Sequence, residues 1–240
     1  MRPQFQSLLV LLLALGAVWG FLALASEVAE GDTSAWDERL LLSLREPGDP
    51  ADPIGGGVVE EALRDVTALG GATWLIFLAA AATGALALAG QGRSSLLLLG
   101  AVAGGQVLSH LAKGVFDRPR PALVSHEAYV QTASFPSGHS MMAAVTYLTL
   151  AVMLSRATRR RALKAYFFAL AVTLTLAVGV SRVYLGVHWP TDVLAGWMIG
   201  AAWAMICALT ADLLARRGAV EPERDEGPGA AAPPGASRGA

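Results

Sequence analysis

Nine residues in a sparsely charged chain have types suited to chemistry on anions: Lys113, Arg118, Arg120, Ser137, His139, Ser181, Arg182, His188 and Asp192. His188 and Asp192 are four apart, so on one helix face the carboxylate can hold one imidazole nitrogen and leave the other free. An imidazole oriented in this way can attack phosphorus. His139 can protonate the departing oxygen and later activate water. Pro136-Ser137-Gly138-His139 stands directly before an apolar run. There the backbone N–H groups and dipole of a starting helix would face an anion, and Gly138 permits close approach. The chain has sixteen arginines and two lysines, and one of those lysines is Lys113. A chain that so favours Arg has a point-charge ammonium here rather than a planar fork. Cations, two histidines and one carboxylate suit a phosphate, clamped by Arg and Lys. A divalent metal would be repelled by the same cations and finds few carboxylates. No metal and no cofactor is expected.

The elements that must carry these residues are read from hydropathy. The chain has 240 residues, is 54% hydrophobic and 15% charged, and has a mean hydropathy of +0.50. Soluble domains carry about 25% charged residues, so a water-soluble globule is excluded, as is disorder over most of the chain. A net charge of −1 leaves no basic excess for nucleic acid. The single cysteine, Cys207, excludes an intrachain disulfide and a Cys-based metal cluster. Six apolar stretches, 5–25, 68–90, 95–112, 138–155, 165–185 and 193–214, are each long enough to cross a hydrocarbon core of about 30 Å. None alternates with period 2, so the fold class is all-α, a six-helix transmembrane bundle rather than a barrel. Small-xxx-small spacings at Gly16/Gly20, Gly100/Gly104 and Gly196/Gly200 would allow close helix packing, although such spacings arise easily among 26 glycines. The first stretch is either an uncleaved anchor or a cleaved signal; its length favours the anchor.

Arg2, Arg93, the cluster Arg156/Arg159/Arg160/Arg161/Lys164 and Arg216/Arg217 flank alternate span ends. By the positive-inside rule that face is cytoplasmic, with both termini inside. The opposite face receives 26–67, 113–137 and 186–192. The first of these loops holds eleven acidic residues against three arginines. Within it Trp36, Leu40, Leu41 and Leu44 recur at helical spacing. They fit a short amphipathic helix on the membrane surface or a solvated loop helix. Residues 218–240, rich in Pro, Gly, Ala and charge, read as a disordered cytoplasmic tail, leaving 1–217 as the folded domain. From Arg93 to Lys113, from Lys164 to Arg182 and from Arg156 back to His139 the helix rises by about 30, 27 and 26 Å. The nine residues therefore collect on the outer face. Snorkelling accounts for one such charge at an interface, not for the whole set on one face.

Lys113-x6-Arg120-Pro121, then Pro136-Ser137-Gly138-His139, then Ser181-Arg182-x5-His188-x3-Asp192 resembles the three-part signature of the type 2 phosphatidic acid phosphatase family, which shares its core with vanadium-dependent haloperoxidases. Every signature position is filled, across about 80 residues, and the six-span layout extends the resemblance over roughly 5–214. The resemblance implies His188 as a nucleophile forming a phosphohistidine, Asp192 as the residue that orients it and His139 as the general acid. It implies Lys113, Arg120, Ser137, Gly138 and Arg182 as the phosphate-binding set, with no metal. Arg118 sits at a variable position of the first motif, where it either touches a distal phosphate or headgroup or is merely solvated. His126 and Glu127, in the loop before the second motif, are an exposed pair or cover the pocket. His110, Tyr184, Trp189 and Cys207 read as packing or interface residues. The implied activity is a membrane phosphatase acting at the outer face on a lipid phosphate or diphosphate: phosphatidate, phosphatidylglycerol phosphate or a polyprenyl diphosphate. The alternatives are a lipid phosphotransferase and a membrane protein that binds phospholipid or anions without chemistry. Lipids are the only partners expected; the oligomeric state is open.

Overall fold

The structure, a computed structural model, describes residues 3–122 and 133–219. His126 and Glu127 lie outside the described residues, as do Arg2 and all of the expected tail beyond Ala219. Among the described residues there are eight helices and one small antiparallel ribbon. The order is α1 (Pro3–Glu30), α2 (Ser34–Leu42), β1 (Arg45–Glu46), β2 (Asp49–Pro53), α3 (Gly56–Ala68), α4 (Ala72–Leu88), α5 (Gly92–Val115), α6 (Gly138–Arg156), α7 (Arg161–Tyr184) and α8 (Pro190–Arg216).

Five helices, α1, α5, α6, α7 and α8, are long and apolar enough to cross a membrane. The chain is a multi-pass membrane protein of the all-α class. The expected span at 68–90 takes a different form. Gly70 and Gly71 break it, and α3 and α4 meet at a bend of 45°. The α4 segment alone has 17 residues, or about 26 Å of rise, and only together with α3 is it long and apolar enough to count as a sixth span. The outside of the bundle is apolar: Leu8, Leu12, Trp19, Phe77, Leu96 and Leu111 are all exposed. In lipid this leaves van der Waals packing and polar contacts as the forces between helices.

The centre is α6, buried from Ser140 to Tyr147 without interruption. Only small residues opposite allow that. A Cβ on Gly200 would lie 2.6 Å from the Met141 carbonyl oxygen and 2.8 Å from Ala144 Cβ, and one on Gly196 would lie 2.7 Å from the Ser137 carbonyl oxygen. Gly104 and Gly179 make room for Trp203 and Trp197, whose indoles donate to carbonyl oxygens of Ala101 and Thr175. Of the three small-residue spacings, Gly196/Gly200 marks an intimate helix pair, whereas Gly16 and Gly100 face open space.

The segment before α3 is docked, not floating. Helix α2 buries Asp37 and Leu41, and Leu41 packs with Val183, Val193 and Trp197. Its Leu41 side therefore lies on protein, while Trp36 and Leu40 remain exposed on the other. The helix with one apolar side is α3, where Val59, Leu63 and Val66 oppose Glu60, Glu61 and Asp65 and Val58 is 83% exposed. Because neighbouring long helices run in opposite directions, the ends of α5 and α7 meet the starts of α4, α6 and α8 at one end of the bundle. Arg93, Arg156, Arg161 and Arg216 mark the other.

Gly200→Ala should lower the thermal midpoint in detergent, by an overpacking cost of about 1–3 kcal/mol, because a backbone carbonyl cannot move aside. Gly100→Ala, which meets nothing, should leave it unchanged or raise it. Size-exclusion recovery after graded heating checks both.

Candidate active site

The loop between α5 and α6, the start of α6 and the α7–α8 turn build the site. Two backbone hydrogen bonds fix their relation: Ser134 N–H donates to the Arg118 carbonyl oxygen and Ser137 N–H to that of Asp192, each at 2.9 Å. Phe135, fully buried, packs on Phe116 at 4.9 Å and Phe21 of α1 at 5.9 Å between ring centroids. The first helix thereby braces the same loop. Ser137 caps α6, accepting from Ser140 N–H. Pro190 opens α8, where its missing N–H costs nothing, and Asp192 accepts from Trp189 N–H at 2.9 Å.

Asp192 and His188 form the core of the site, 0% and 1% exposed. His188 Nδ1 lies 3.4 Å from Asp192 Oδ2 and 3.3 Å from Ser134 Oγ. Ser134 Oγ in turn donates to Asp192 Oδ2, which assigns the Nδ1 proton to a fork between the two oxygens. On the other side, Arg120 Nη1 donates to His188 Nε2 at 3.1 Å and to the Val187 carbonyl oxygen at 2.8 Å. Nε2 is thus the unprotonated nitrogen, and it faces the cations. Burial lowers the His188 imidazole from 6.5 to about 4 against the opposing pull of Asp192, so the ring is neutral at pH 7. Burial also holds the Arg120 guanidinium below the usual arginine range.

Lys113 lies within electrostatic reach of Arg120, Arg182 and Asp192, and its Nζ would be 3.5 Å from a Cβ on Gly138. Arg182 donates through Nη1 to Thr67 Oγ1 at 3.1 Å, while its buried Nε has no partner. His139 feels Arg182, His188, Lys113 and Arg120, and Gly70 at the α3–α4 bend lies against it. The structure thus brings together Lys113, Arg120, Ser137, Gly138, His139, Arg182, His188 and Asp192. Ser181 is turned away, its hydroxyl on the Val178 carbonyl oxygen. Below His139 and Lys113 a groove of about 630 Å³ runs between α4 and α5, walled by Leu75, Ile76, Ala79, Leu99 and Val102. His110 lies along it and bonds back to Gln106.

Arg118 takes neither role left open by the sequence. Its guanidinium donates to Asp192 Oδ1 and Thr191 Oγ1 through Nη1 and to Asp37 Oδ2 through Nη2, each at 2.7 Å. It is turned to carboxylates behind the site, with Trp189 stacked on it at 5.6 Å. Asp37 also accepts from Thr191 N–H and Oγ–H at 2.9 and 2.6 Å. Asp37, Ser134 and Thr191 were not singled out by sequence reasoning. One signal was available for Asp37: it shares a helical face with Leu41 and Leu44, three positions spaced i, i+4, i+7, where a carboxylate is out of place unless paired.

Comparison with known proteins follows the same residues. The family model described as the PAP2 superfamily matches residues 94–214, half of the chain. Phosphatidylglycerophosphatase B of Bacillus subtilis (strain 168) is 33% identical over 145 residues, 59% of this chain and 70% of that protein. The undecaprenyl-diphosphatase of Sulfolobus acidocaldarius is 31% identical over 100 residues, 40% of this chain and 44% of that protein. The crystal structure of a transmembrane PAP2-type phosphatidylglycerolphosphate phosphatase from Bacillus subtilis superposes with a TM-score of 0.70 at 27% identity, covering 81% of this chain and 93% of that one.

The site makes a prediction for stability. His188 has its folded value near 4, below the unfolded value near 6.5. Between those values the unfolded chain binds a proton that the folded chain does not, so stability is lost as pH falls from about 6.5 to about 4. Melting points in detergent across that window should fall more steeply for the wild type than for His188→Gln; parallel slopes would contradict it.

Proposed function

The chain belongs to the PAP2 superfamily, and on that premise we propose that it is an integral membrane phosphatase hydrolysing a phosphate or diphosphate monoester on a lipid. The observation that carries this reading is the site's donor set. Three mutually repelling cations, Lys113, Arg120 and Arg182, converge beside a neutral, oriented imidazole at the head of an apolar groove. An anion is what relieves that repulsion, and the unpartnered Nε of Arg182 is a donor left over for it. The named activities of the relatives, on phosphatidylglycerophosphate and undecaprenyl diphosphate, support the lipid class, and the groove suits its apolar chain.

In the proposed reaction the phosphate draws Arg120 from His188 Nε2 onto its own oxygens. Nε2 attacks phosphorus, the P–O bond to the lipid breaks, and His139, which takes up a proton from solvent once the bound phosphate has offset the neighbouring cations, gives that proton to the leaving oxygen. The N–H groups at the start of α6 and the three cations stabilise the trigonal-bipyramidal transition state. Neutral His139 then takes a proton from water, whose oxygen attacks phosphorus. The P–N bond breaks, inorganic phosphate leaves and Nε2 is regenerated. Asp192 and Ser134 hold the Nδ1 proton throughout. Ser137 and Gly138 shape the phosphate cradle. No step calls for a metal.

The test is phosphate release from phosphatidate, phosphatidylglycerol phosphate and undecaprenyl diphosphate in detergent micelles containing EDTA. Turnover of at least one is expected, and strict dependence on added Mg²⁺ would overturn the mechanism. His188→Ala should abolish both turnover and labelled phosphoenzyme with every leaving group. His139→Ala should lose roughly 10²–10⁴-fold on a phosphatidate-like ester and much less on an aryl phosphate, whose leaving group needs no proton. Rescue of His188→Ala by the aryl ester would exchange the two roles.

The arginine-rich end of the bundle supports a site on the outer face with both termini cytoplasmic. Reporters fused after Gly92 and after Arg217 should report cytoplasm, and one near Pro50 the outside. A cytoplasmic signal near Pro50 would overturn this orientation.

A further inference from the structure

We propose that Asp37, on helix α2 of the segment preceding the bent pair, is a positioning residue for the reaction: through Arg118 it holds the Asp192 carboxylate that orients His188. This presupposes the nucleophile proposed above. The geometry is a buried row of alternating charge. Asp37, fully buried, takes one arm of the Arg118 fork at 2.7 Å, and Asp192 takes the other at 2.7 Å. Asp192 then meets His188. Thr191 ties the first two links together, donating twice to Asp37 while accepting from Arg118.

A buried guanidinium needs compensating charge on its polar arms. With Asp37 present, two carboxylates share one cation and the row keeps one net negative charge beside His188. That charge favours the positively charged ring formed as Nε2 attacks. With Asp37 neutral, Arg118 would turn wholly on Asp192 and cancel it. The fork also fixes Asp192 from the side opposite Ser134 and Trp189 N–H, so both carboxylate oxygens are constrained. Helix α2 is thus part of the reaction's scaffold, although none of its residues reaches the phosphate.

The experiment is steady-state kinetics of Asp37→Asn, Arg118→Gln and the double variant in the full-length protein, with Glu38→Gln, an exposed neighbour, as control. Asp37→Asn should lower kcat roughly 10–100-fold, the range typical of partners that orient metal ligands, with KM within about threefold because the phosphate cradle is untouched. The double variant should be little worse than Arg118→Gln, since Asp37 acts through it. The acid limb of kcat/KM should move to lower pH, because His188 loses negative potential while Asp192, Arg120, Arg182 and His139, the groups facing it from α8, the α5–α6 loop, α7 and α6, are retained. Mere loosening would admit water and move the limb up towards the ordinary imidazole value. Wild-type kcat in Asp37→Asn, additive losses in the double variant, or an upward shift of the limb would each overturn the proposal. Should Asp37→Asn fail to fold, Asp37→Glu keeps the charge and should lose kcat with its acid limb unmoved; a moved limb there would also overturn it. Labelling of His188→Ala keeps the two readings apart: a labelled phosphoenzyme in that variant removes the nucleophile itself, whereas its absence together with wild-type Asp37→Asn removes only the role of Asp37.

Discussion

Like charges held close together where water screens them poorly are the constraint that organises this end of the protein. Lys113, Arg120 and Arg182 come from α5, the following loop and α7, and each raises the potential felt by the others. Nothing in an apolar bundle favours that arrangement by itself. It is held by what surrounds it: the carboxylate of Asp192 below, the hydroxyl of Thr67 beside Arg182, and a backbone fixed by packing rather than by the charges. The close approach of α6 and α8 at Gly196 and Gly200 therefore shapes the cluster as well as the core. It sets the start of α6, with Gly138 and His139, directly against the start of α8, with Asp192.

A second consequence of the same crowding is that the two buried carboxylates at this end share one cationic partner. Asp37 and Asp192 divide Arg118 between them, so Arg118 is drawn away from the front of the site. Two arginines two residues apart in one motif thus face opposite ways. Arg120 points at the imidazole and Arg118 at the carboxylates behind it. Pro119 separates them, and its carbonyl oxygen accepts from the Trp189 indole, fixing the turn between the two directions.

Hydropathy made the long helices legible, and charge spacing along them made the end of the bundle legible, because both depend on composition over many residues. The cluster that the structure brings together was legible for a different reason: Lys113, Arg120, His139, Arg182, His188 and Asp192 are ionisable types gathered at the ends of apolar helices, where such residues are rare without a use. What stayed hidden depended on single contacts. The break at Gly70 and Gly71 lies inside an apolar run that reads as continuous. Asp37 sits among charged neighbours in a loop whose acidity masks it, and only its place on the Leu41 face distinguishes it. Ser134 looks like any loop serine until the chain brings it beside Asp192. Arg118 could not be assigned because its partners are 74 and 81 residues away in sequence.

The groove between α4 and α5 bears on how the reaction relates to the solvent. Lifting a lipid chain out of a bilayer costs about 0.8 kcal/mol for each CH₂ exposed to water, which over one long chain exceeds the binding energy of most small ligands. A slot walled by Leu75, Ile76 and Leu99 and headed by Lys113 and His139 would leave the chain among apolar neighbours throughout turnover. Desorption then drops out of the cycle. The two products would part at right angles, the lipid sideways within the membrane plane and inorganic phosphate into water. Encounter with the next substrate becomes diffusion in two dimensions, so the rate in a membrane should follow the mole fraction of substrate among lipids rather than its bulk concentration.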